Sequence, residues 1–353
     1  MLKKCTALFA AILLLLSLCA CTTQTEYYEK SSFAMGSAVT IRIYGSQTAQ
    51  EMAQDALAAV SETDSLLSAN MVDSDIYKLN ESKKGHVVSA ETFQLIRDCL
   101  SVCRTTGWVL DITIGAVSAL WGFDTDSPSL PEENALHDAL QSVDMAQLTF
   151  YEDRLTIQKA EGQQIDLGAF GKGIACDKAL QALRSEFSPA ILSVGGTVML
   201  YGNHPDEKHW TIGVRDPLGS VNTYCATLAL SVEESDDALV ISTSGNYEKT
   251  FTENGQTYHH ILDINTGYPV ENDLLGVTVV AKSGLVSDAL STVLFMHGLT
   301  EQSLHILESY NAQAVFLCKD GRMLVSDGLA DKITITNGNW TLGDLEDTIG
   351  ELQ

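Results

Sequence analysis

Basic residues are scarce in this sequence. Of its 353 residues, 21 are Lys or Arg and 46 are Asp or Glu, which gives a formal net charge of -25 at pH 7. Such an acidic chain has no basic surface for a nucleic acid, and the composition therefore excludes nucleic acid as a partner. The same charge should repel anionic substrates. Any phosphate-bearing substrate must then be held by local backbone amides, single lysines and a bound cation.

The sequence also lacks a hydrophobic run long enough to remain as a membrane-spanning helix. Its apolar stretch at residues 7–18 follows Lys3 and Lys4 and is too short to cross a bilayer in the mature protein. A basic start before a short apolar run is typical of a secretory signal peptide. Ala20 stands directly before Cys21, as in a bacterial lipobox, so we expect cleavage before Cys21 and a lipid on this cysteine.

This processing predicts where the mature protein is located. Residues 1–20 would be a lipoprotein signal peptide and residues 21–32 a polar tether. The protein would then be anchored through Cys21 to the cell membrane, on the extracytoplasmic side. The alternative is an ordinary secretory signal with an incidental cysteine. Because the signal peptide carries two positive and no negative charges, its removal shifts the net charge from -25 to -27.

The number of cysteines beyond Cys21 is odd. After the signal peptide and Cys21, five cysteines remain, and an odd number argues against a full disulfide framework. Cys99 and Cys103 are one helical turn apart, but no second pair accompanies them as a zinc site would require. We therefore expect buried, unpaired side chains at Cys99, Cys103, Cys176, Cys225 and Cys318.

Hydrophobic periodicity predicts helices and strands in irregular order, without internal repeats or long linkers. Helices are expected near residues 48–67, 90–105, 131–143, 172–186 and 286–296. Strands are expected near residues 38–44, 148–151, 155–158, 190–194, 210–214, 224–230, 238–243, 277–281, 314–318 and 322–325, with a hairpin around Asn254-Gly255. The absence of regular βα alternation predicts an α+β fold in one large domain over residues 33–345, with largely antiparallel sheets packed against helices.

Five short segments combine glycine-rich turns with Asp, Thr, Lys or His. Glycine lets the backbone approach a phosphate, Lys172 supplies a point charge, and Asp288 with Thr292 offers two oxygens on one helix face to a hard cation. The combination predicts a magnesium-assisted reaction on a pyrophosphate. The segments are D-I-T-I-G (111–115), I-D-L-G-A-F-G-K-G (165–173), S-V-G-G-T (193–197), Y-H-H-I-L-D-I-N-T-G (258–267) and S-D-A-L-S-T (287–292).

In this order, the segments resemble the FAD:protein FMN transferase family, often called ApbE. M-G-S at residues 35–37, S-D-I-Y-K-L-N at 74–80 and W-T-I-G-V-R-D-P at 210–217 extend the resemblance over most of the mature chain. The resemblance implies that FAD is the substrate, that Mg²⁺ is the cofactor, and that the FMN half of FAD is transferred to a threonine hydroxyl of an acceptor protein with release of AMP. Family acceptors are often subunits of membrane redox pumps or extracellular flavoproteins.

The resemblance also implies a site. Asp288, Thr292 and the backbone carbonyl of Ala169 would hold magnesium, Lys172 would reach a phosphate, and His260 would be the general base. Backbone amides and the hydroxyl of the Thr113 segment would meet the flavin, and Asn70 stands where many members have an aromatic residue that stacks on it. The predicted cofactor contacts are Met35, Asn70, Thr113, Ile114, Gly115, Lys172, Ser193, Gly195, Gly196, His260 and Ile261.

Several of these residues have a structural alternative. Asp288 can interact with the helix dipole, and the Gly195-Gly196 turn needs no ligand. His259 would point away from His260 if this stretch is a strand. Asp263 would orient His260 or anchor the following turn. Two other activities also remain open: a magnesium-dependent FAD pyrophosphatase that uses water as the nucleophile, and a flavin-binding lipoprotein without turnover.

Overall fold

The computed structural model describes residues 24–220, 222–233 and 238–352, and the predicted signal peptide and Cys21 lie outside them. The helices of this part are α1 (Ala49–Leu67), α2 (Asp75–Glu81), α3 (Ala90–Thr105), α4 (Gly115–Trp121), α5 (Glu133–Leu140), α6 (Gly171–Leu183), α7 (Gly284–His297), α8 (Glu301–Tyr310) and α9 (Leu345–Glu351). The strands are β1 (Tyr27–Ala34), β2 (Ser37–Tyr44), β3 (Gly85–Val87), β4 (Thr149–Tyr151), β5 (Thr156–Gln158), β6 (Ala190–Val194), β7 (Thr197–Tyr201), β8 (Trp210–Arg215), β9 (Tyr224–Leu230), β10 (Ala238–Gly245), β11 (Thr250–Glu253), β12 (Gln256–His259), β13 (Leu274–Ala281), β14 (Gln313–Cys318), β15 (Arg322–Val325), β16 (Ile333–Ile335) and β17 (Thr341–Asp344).

One large sheet organises the fold. Its strand order is β1-β2-β6-β7-β10-β13-β14-β15-β17. Neighbouring strands are antiparallel except β15 and β17, which are parallel. Smaller sheets form from β16-β9-β8 and β3-β5-β4, and β11 pairs with β12. The predicted α+β class with largely antiparallel sheets is therefore confirmed.

Helices and a small sheet cover opposite faces of the large sheet. Val39 and Ile41 of β2 are fully buried in one hydrophobic cluster with residues of α1 and α6. On the other face, Leu200 of β7 packs in a cluster with Trp210 and Leu228 of the β16-β9-β8 sheet. The N-terminal ends of α6 and α7 meet above the helix-covered face, and this meeting point positions the candidate site.

The folded region extends beyond the predicted limits of 33 and 345. All of β1 pairs with β2, from Tyr27 opposite Tyr44 to Ala34 opposite Ser37, so the predicted tether at 21–32 is wrong from Tyr27 onward. The strand was missed because it is an edge strand in which only Ala34 is buried, and its polar sequence therefore reads as a tether. At the other end, α9 buries Ile349 in the core.

The cysteine prediction is confirmed in the described residues. Cys99, Cys103, Cys176, Cys225 and Cys318 are all buried and free. Burial raises the pKa of the Cys103 thiol to about 12, so this group stays protonated at neutral pH. Across the described part of the chain, no helix combines the length and apolar character needed to cross a membrane.

Candidate active site

Two helices meet at their N-terminal ends at the centre of the site. A Cβ placed on Gly173 of α6 would lie 2.0 Å from the Gly284 carbonyl oxygen, and a Cβ on Gly284 of α7 would lie 2.1 Å from the Gly173 carbonyl oxygen. Only glycine therefore fits at either position. This close approach brings the positive dipole ends of two helices into one place, which favours negative charge there.

Asp288 lies at this meeting point and is almost fully buried. Its Oδ2 accepts a hydrogen bond from the Gly173 N–H at 2.9 Å, and its Oδ1 accepts one from the Thr197 hydroxyl at 3.4 Å. Lys172 Nζ lies 3.8 Å from the same Oδ1, with 30% of the lysine side chain exposed. The fold therefore joins three of the five segments, 165–173, 193–197 and 287–292, around one carboxylate.

The predicted magnesium ligands form a set of hard oxygens. In a continued helix the Gly173 N–H would bond to the Ala169 carbonyl four residues earlier, but here it donates to Asp288. The Thr292 hydroxyl lies 2.9 Å from Ser244 Oγ and, as a hydroxyl, keeps acceptor capacity beyond that bond. Among the described residues, the polar contacts of Asp288 Oδ1 are the two long ones to Thr197 and Lys172. A carboxylate, a hydroxyl and a carbonyl suit Mg²⁺, so these residues fit the implied metal.

The hairpin between β1 and β2 places Met35 beside α6. Met35 and Gly36 have φ values of 54° and 66° in the two-residue turn, as a type I′ hairpin requires. The Met35 N–H donates to Asp64 Oδ2 at 2.8 Å, which fixes the turn. A Cβ on Gly171 would lie 2.8 Å from Met35 Cε, so the small residue leaves room for the methionine side chain.

A second hairpin turn, between β6 and β7, lies next to Lys172. Gly195 has a φ of 58°, and a Cβ there would lie 2.8 Å from Ser37 Oγ and 3.4 Å from Lys172 Cδ. The turn continues through Gly196, whose carbonyl accepts from the Thr243 N–H at 3.2 Å. Met35, Lys172, Gly195 and Asp288 thus converge on one region.

Thr113 is fully buried, and its polar groups are engaged within the protein. Asp111 Oδ1 accepts hydrogen bonds from the Thr113 N–H at 2.7 Å and the Thr113 hydroxyl at 2.5 Å. The hydroxyl also accepts from the Asp144 N–H at 2.9 Å, and Asp111 Oδ2 accepts from the Met145 N–H at 3.0 Å. The threonine hydroxyl thus stabilises this loop, and its expected contact with the flavin stays a prediction.

The neighbouring amides are engaged as well. The Ile114 N–H donates to the Asp111 carbonyl at 3.2 Å, and the Gly115 N–H donates to the Gln164 carbonyl at 3.0 Å. A Cβ on Gly115 would lie 2.7 Å from that Gln164 oxygen, so this glycine serves the close contact with the 165–173 segment. The N–H groups of residues 113–115 thus have partners within the protein, and their assignment as flavin contacts stays a prediction from the resemblance.

His260 follows the end of β12 and is half-buried. Its Nδ1 lies 3.1 Å from the Glu248 carbonyl oxygen. Burial, helped by the charges of Lys249 and Lys172, lowers the pKa of His260 to about 4. The ring is therefore neutral at pH 7, and because a carbonyl only accepts hydrogen bonds, its proton lies on Nδ1. This tautomer leaves a lone pair on Nε2.

The residues around His260 have structural roles. His259 is buried, with Nε2 3.1 Å from the Val270 carbonyl and Nδ1 accepting from the Ile261 N–H at 3.3 Å. Ile261 is itself buried in the core, and its carbonyl accepts from the Val270 N–H at 2.9 Å. Its assignment as a cofactor contact stays a prediction from the resemblance. Asp263 accepts from the Asn265 N–H at 2.8 Å, which supports turn anchoring rather than orientation of His260.

Asn70 and Ser193 are the remaining predicted contacts. Asn70 is exposed in the segment after α1, and its N–H donates to Ser68 Oγ at 3.2 Å. Ser193 lies on β6 between Thr40 and Val198 of the neighbouring strands. Both assignments stay predictions from the resemblance.

The family model described as the ApbE family matches residues 35–316. This chain belongs to the ApbE family. Among its relatives are the FAD:protein FMN transferase of Treponema pallidum (strain Nichols), 27% identical over 92% of this chain and 93% of the relative, and that of Haemophilus influenzae (strain ATCC 51907 / DSM 11121 / KW20 / Rd), 26% identical over 95% and 99%.

Solved ApbE structures share the fold. The ApbE protein of Thermotoga maritima is 28% identical, with a TM-score of 0.77 over 86% of this chain and 98% of that one. The apo form of the flavinyl transferase ApbE of Pseudomonas stutzeri is 22% identical, with a TM-score of 0.72 over 93% and 98%.

Sequence reasoning missed two residues of this ApbE site. Ser244 on β10 contacts Thr292 and Ser291, but a serine in a strand carries no distinguishing signal. Asp177 on α6 did carry a signal in the sequence, because it follows Gly173 by four residues, as Asp288 follows Gly284. The repeated spacing was visible in the sequence, whereas its meaning depends on how the two helices pack.

Proposed function

We propose that this chain is an FAD:protein FMN transferase that moves the FMN half of FAD to a threonine hydroxyl of an acceptor protein and releases AMP, with Mg²⁺ as cofactor. Membership of the ApbE family and the names of its relatives support the proposal. The observation that carries it is the contact between Lys172 and Asp288 at the point where two helices begin. Lys172 is also close enough to His260 for its charge to help lower the pKa of that histidine.

The site offsets the acidity of the chain locally. The net charge of -25 repels a pyrophosphate, whereas the ammonium group of Lys172 at the start of α6 attracts one. Because Lys172 Nζ is 3.8 Å from Asp288 and partly exposed, its ammonium group is not committed to a tight ion pair and can turn to a phosphate. Lys172 would therefore hold the FAD pyrophosphate.

Asp288, Thr292 and the Ala169 carbonyl would hold the magnesium ion. When bound, the ion neutralises charge on the nonbridging phosphate oxygens. The Gly173 N–H keeps Asp288 in place through Oδ2 and leaves Oδ1 for the metal. Thr292 can donate to Ser244 and still offer a lone pair.

His260 would accept the proton of the acceptor threonine. As the threonine oxygen bonds to the FMN phosphorus, the bond from that phosphorus to the bridging oxygen breaks, and AMP leaves. The hydroxyl proton passes to Nε2, the ring nitrogen left free by the bond of Nδ1 to Glu248. A pKa of about 4 makes a weak base in the free protein, but the negative charge of bound FAD raises the pKa of a nearby imidazole.

We also propose that a lipid on Cys21 anchors the protein outside the cytoplasmic membrane. The chain is tied to the fold from Thr25, whose hydroxyl donates to Asp206 at 2.6 Å. Met35 follows Cys21 by 14 residues, so even a fully extended chain places Met35 within roughly 50 Å of the anchor. This reach suits an acceptor that is itself at the membrane, such as a membrane or extracellular flavoprotein subunit.

Acceptor labelling tests the proposed reaction. The purified protein is incubated with FAD, Mg²⁺ and a threonine-bearing acceptor domain, and the acceptor is then examined by mass spectrometry. We expect FMN on the target threonine and none on an acceptor whose threonine is replaced by alanine. AMP release without labelling would instead assign a pyrophosphatase, and bound FAD without AMP a carrier.

A further inference from the structure

The carboxylate of Asp177 lies at the N-terminus of α7, although the residue itself belongs to α6. Its Oδ1 accepts a hydrogen bond from the Gly284 N–H at 2.6 Å. Its Oδ2 accepts from the Leu285 N–H at 3.0 Å and from the Ser283 hydroxyl at 3.0 Å. One side chain of α6 thus binds the first donors of α7, where a helix leaves its N–H groups without intrahelical partners.

Asp288 does the same in the opposite direction. It belongs to α7, and its carboxylate accepts the Gly173 N–H in the first turn of α6 at 2.9 Å. The two helices carry the same pattern, G-I-A-C-D at residues 173–177 and G-L-V-S-D at 284–288. Each glycine contacts the other backbone, and each aspartate, one turn later, caps the other helix.

This reciprocal arrangement couples the position of Asp288 to Asp177. Asp288 lies one turn into α7, so any shift of the α7 N-terminus moves its carboxylate relative to Gly173. Burial raises the pKa of Asp177, and the bonds from Leu285, Gly284 and Ser283 oppose that cost. These bonds fix the helix start from which Asp288 projects.

We propose that Asp177 is a positioning residue for the metal site: by capping α7 it holds Asp288 where one carboxylate oxygen binds the Gly173 N–H and the other is free for the metal. The inference rests on the proposed function, since it concerns the same reaction. Both oxygens of the Asp177 carboxylate are bound to donors at the start of α7. Asp177 acts through the helix that carries the ligand.

The test uses Asp177→Asn, which keeps the size of the side chain but places an NH₂ group against backbone donors. With Mn²⁺ alone as the probe, measured by calorimetry, we expect the dissociation constant to rise about tenfold or more, as for other residues that orient a metal ligand. The Mg²⁺ concentration for half-maximal AMP release from FAD should rise by a similar factor, and excess Mg²⁺ should restore turnover. Asp138→Asn, at an exposed position of α5, is the matched control and should change neither quantity.

The outcomes separate this inference from the proposed function. A wild-type protein that neither binds Mn²⁺ nor consumes FAD would contradict the proposed function. A wild-type protein that does both, with an Asp177→Asn variant of unchanged metal affinity, would overturn the positioning role, and a lower melting temperature alone would not rescue it. If Asp177→Asn does not fold, Ser283→Ala is used instead, because it removes one of the three donors to Asp177. It should raise the dissociation constant for Mn²⁺ by a smaller factor. Unchanged Mn²⁺ binding in this variant would also overturn the inference.

Discussion

Replacing Asp288 by alanine removes the buried carboxylate at the point where α6 and α7 meet. The Gly173 N–H, bonded to Oδ2 at 2.9 Å, then loses its partner. A buried donor left without a partner costs about 1–3 kcal/mol of stability. Thr197 adds less, because the bond from its hydroxyl to Oδ1 is long at 3.4 Å.

The effect on turnover should be much larger than the effect on stability. Asp288 supplies the only carboxylate of the proposed metal set, so AMP release and acceptor labelling should fall by more than about 100-fold. FAD binding through the rest of the site should partly survive. Asp288→Asn keeps an acceptor for the Gly173 N–H and should lose turnover with a smaller loss of stability.

Chemical denaturation and FAD turnover at saturating Mg²⁺ measure the two effects separately. Stability should fall in the order wild type, Asp288→Asn, Asp288→Ala, and both variants should lose most of their turnover. Unchanged turnover in Asp288→Ala at saturating Mg²⁺ would refute the metal assignment. Equal stability of the Ala and Asn variants would refute the role of the Gly173 hydrogen bond.

Three further changes test other parts of the account. Gly284→Ala places a Cβ 2.1 Å from the Gly173 carbonyl oxygen and should lower the free energy of unfolding by about 1–3 kcal/mol or more. The control Gly350→Ala has open space around the new Cβ and should not lower it. Equal denaturation midpoints for the two variants would contradict the close helix contact. Cys21→Ser should yield a soluble, active protein without lipid by mass spectrometry, and a lipid still attached would move the anchor elsewhere. His260→Ala should keep FAD affinity but lose acceptor labelling, more at neutral than at alkaline pH. Because the folded-state pKa of about 4 lies below the ordinary 6.5, wild-type stability should also fall as the pH drops through this window, and the variant should lose less.

Glycine spacing and charged residues predicted much of the site. Lys172 and Asp288 were expected together, although the hydrogen bond that joins their segments links residues 115 positions apart. The helix with Asp288 and Thr292 was predictable because both residues share one helix face. The sequence thus predicted which charged groups of the proposed site lie together.

Hydrogen-bond partners were not predictable in the same way. Thr113 was expected to offer its hydroxyl to the flavin, and in the structure this hydroxyl bonds to Asp111 and to the Asp144 N–H. The second bond depends on the packing of a loop that lies more than thirty residues further along the chain. β1 was missed because an exposed edge strand has no buried face to show alternation. Asp177 was missed because its role exists only once α6 and α7 are packed together.

The ratio of AMP released to acceptor labelled tests the central proposal most directly. Purified protein, FAD, Mg²⁺ and an excess of acceptor are incubated, with AMP measured by chromatography and FMN-bearing acceptor by mass spectrometry. Transfer from FAD to threonine predicts one AMP for each labelled acceptor, and no label on the threonine-to-alanine acceptor. AMP that accumulates far beyond the labelled acceptor would contradict it and assign water as the nucleophile.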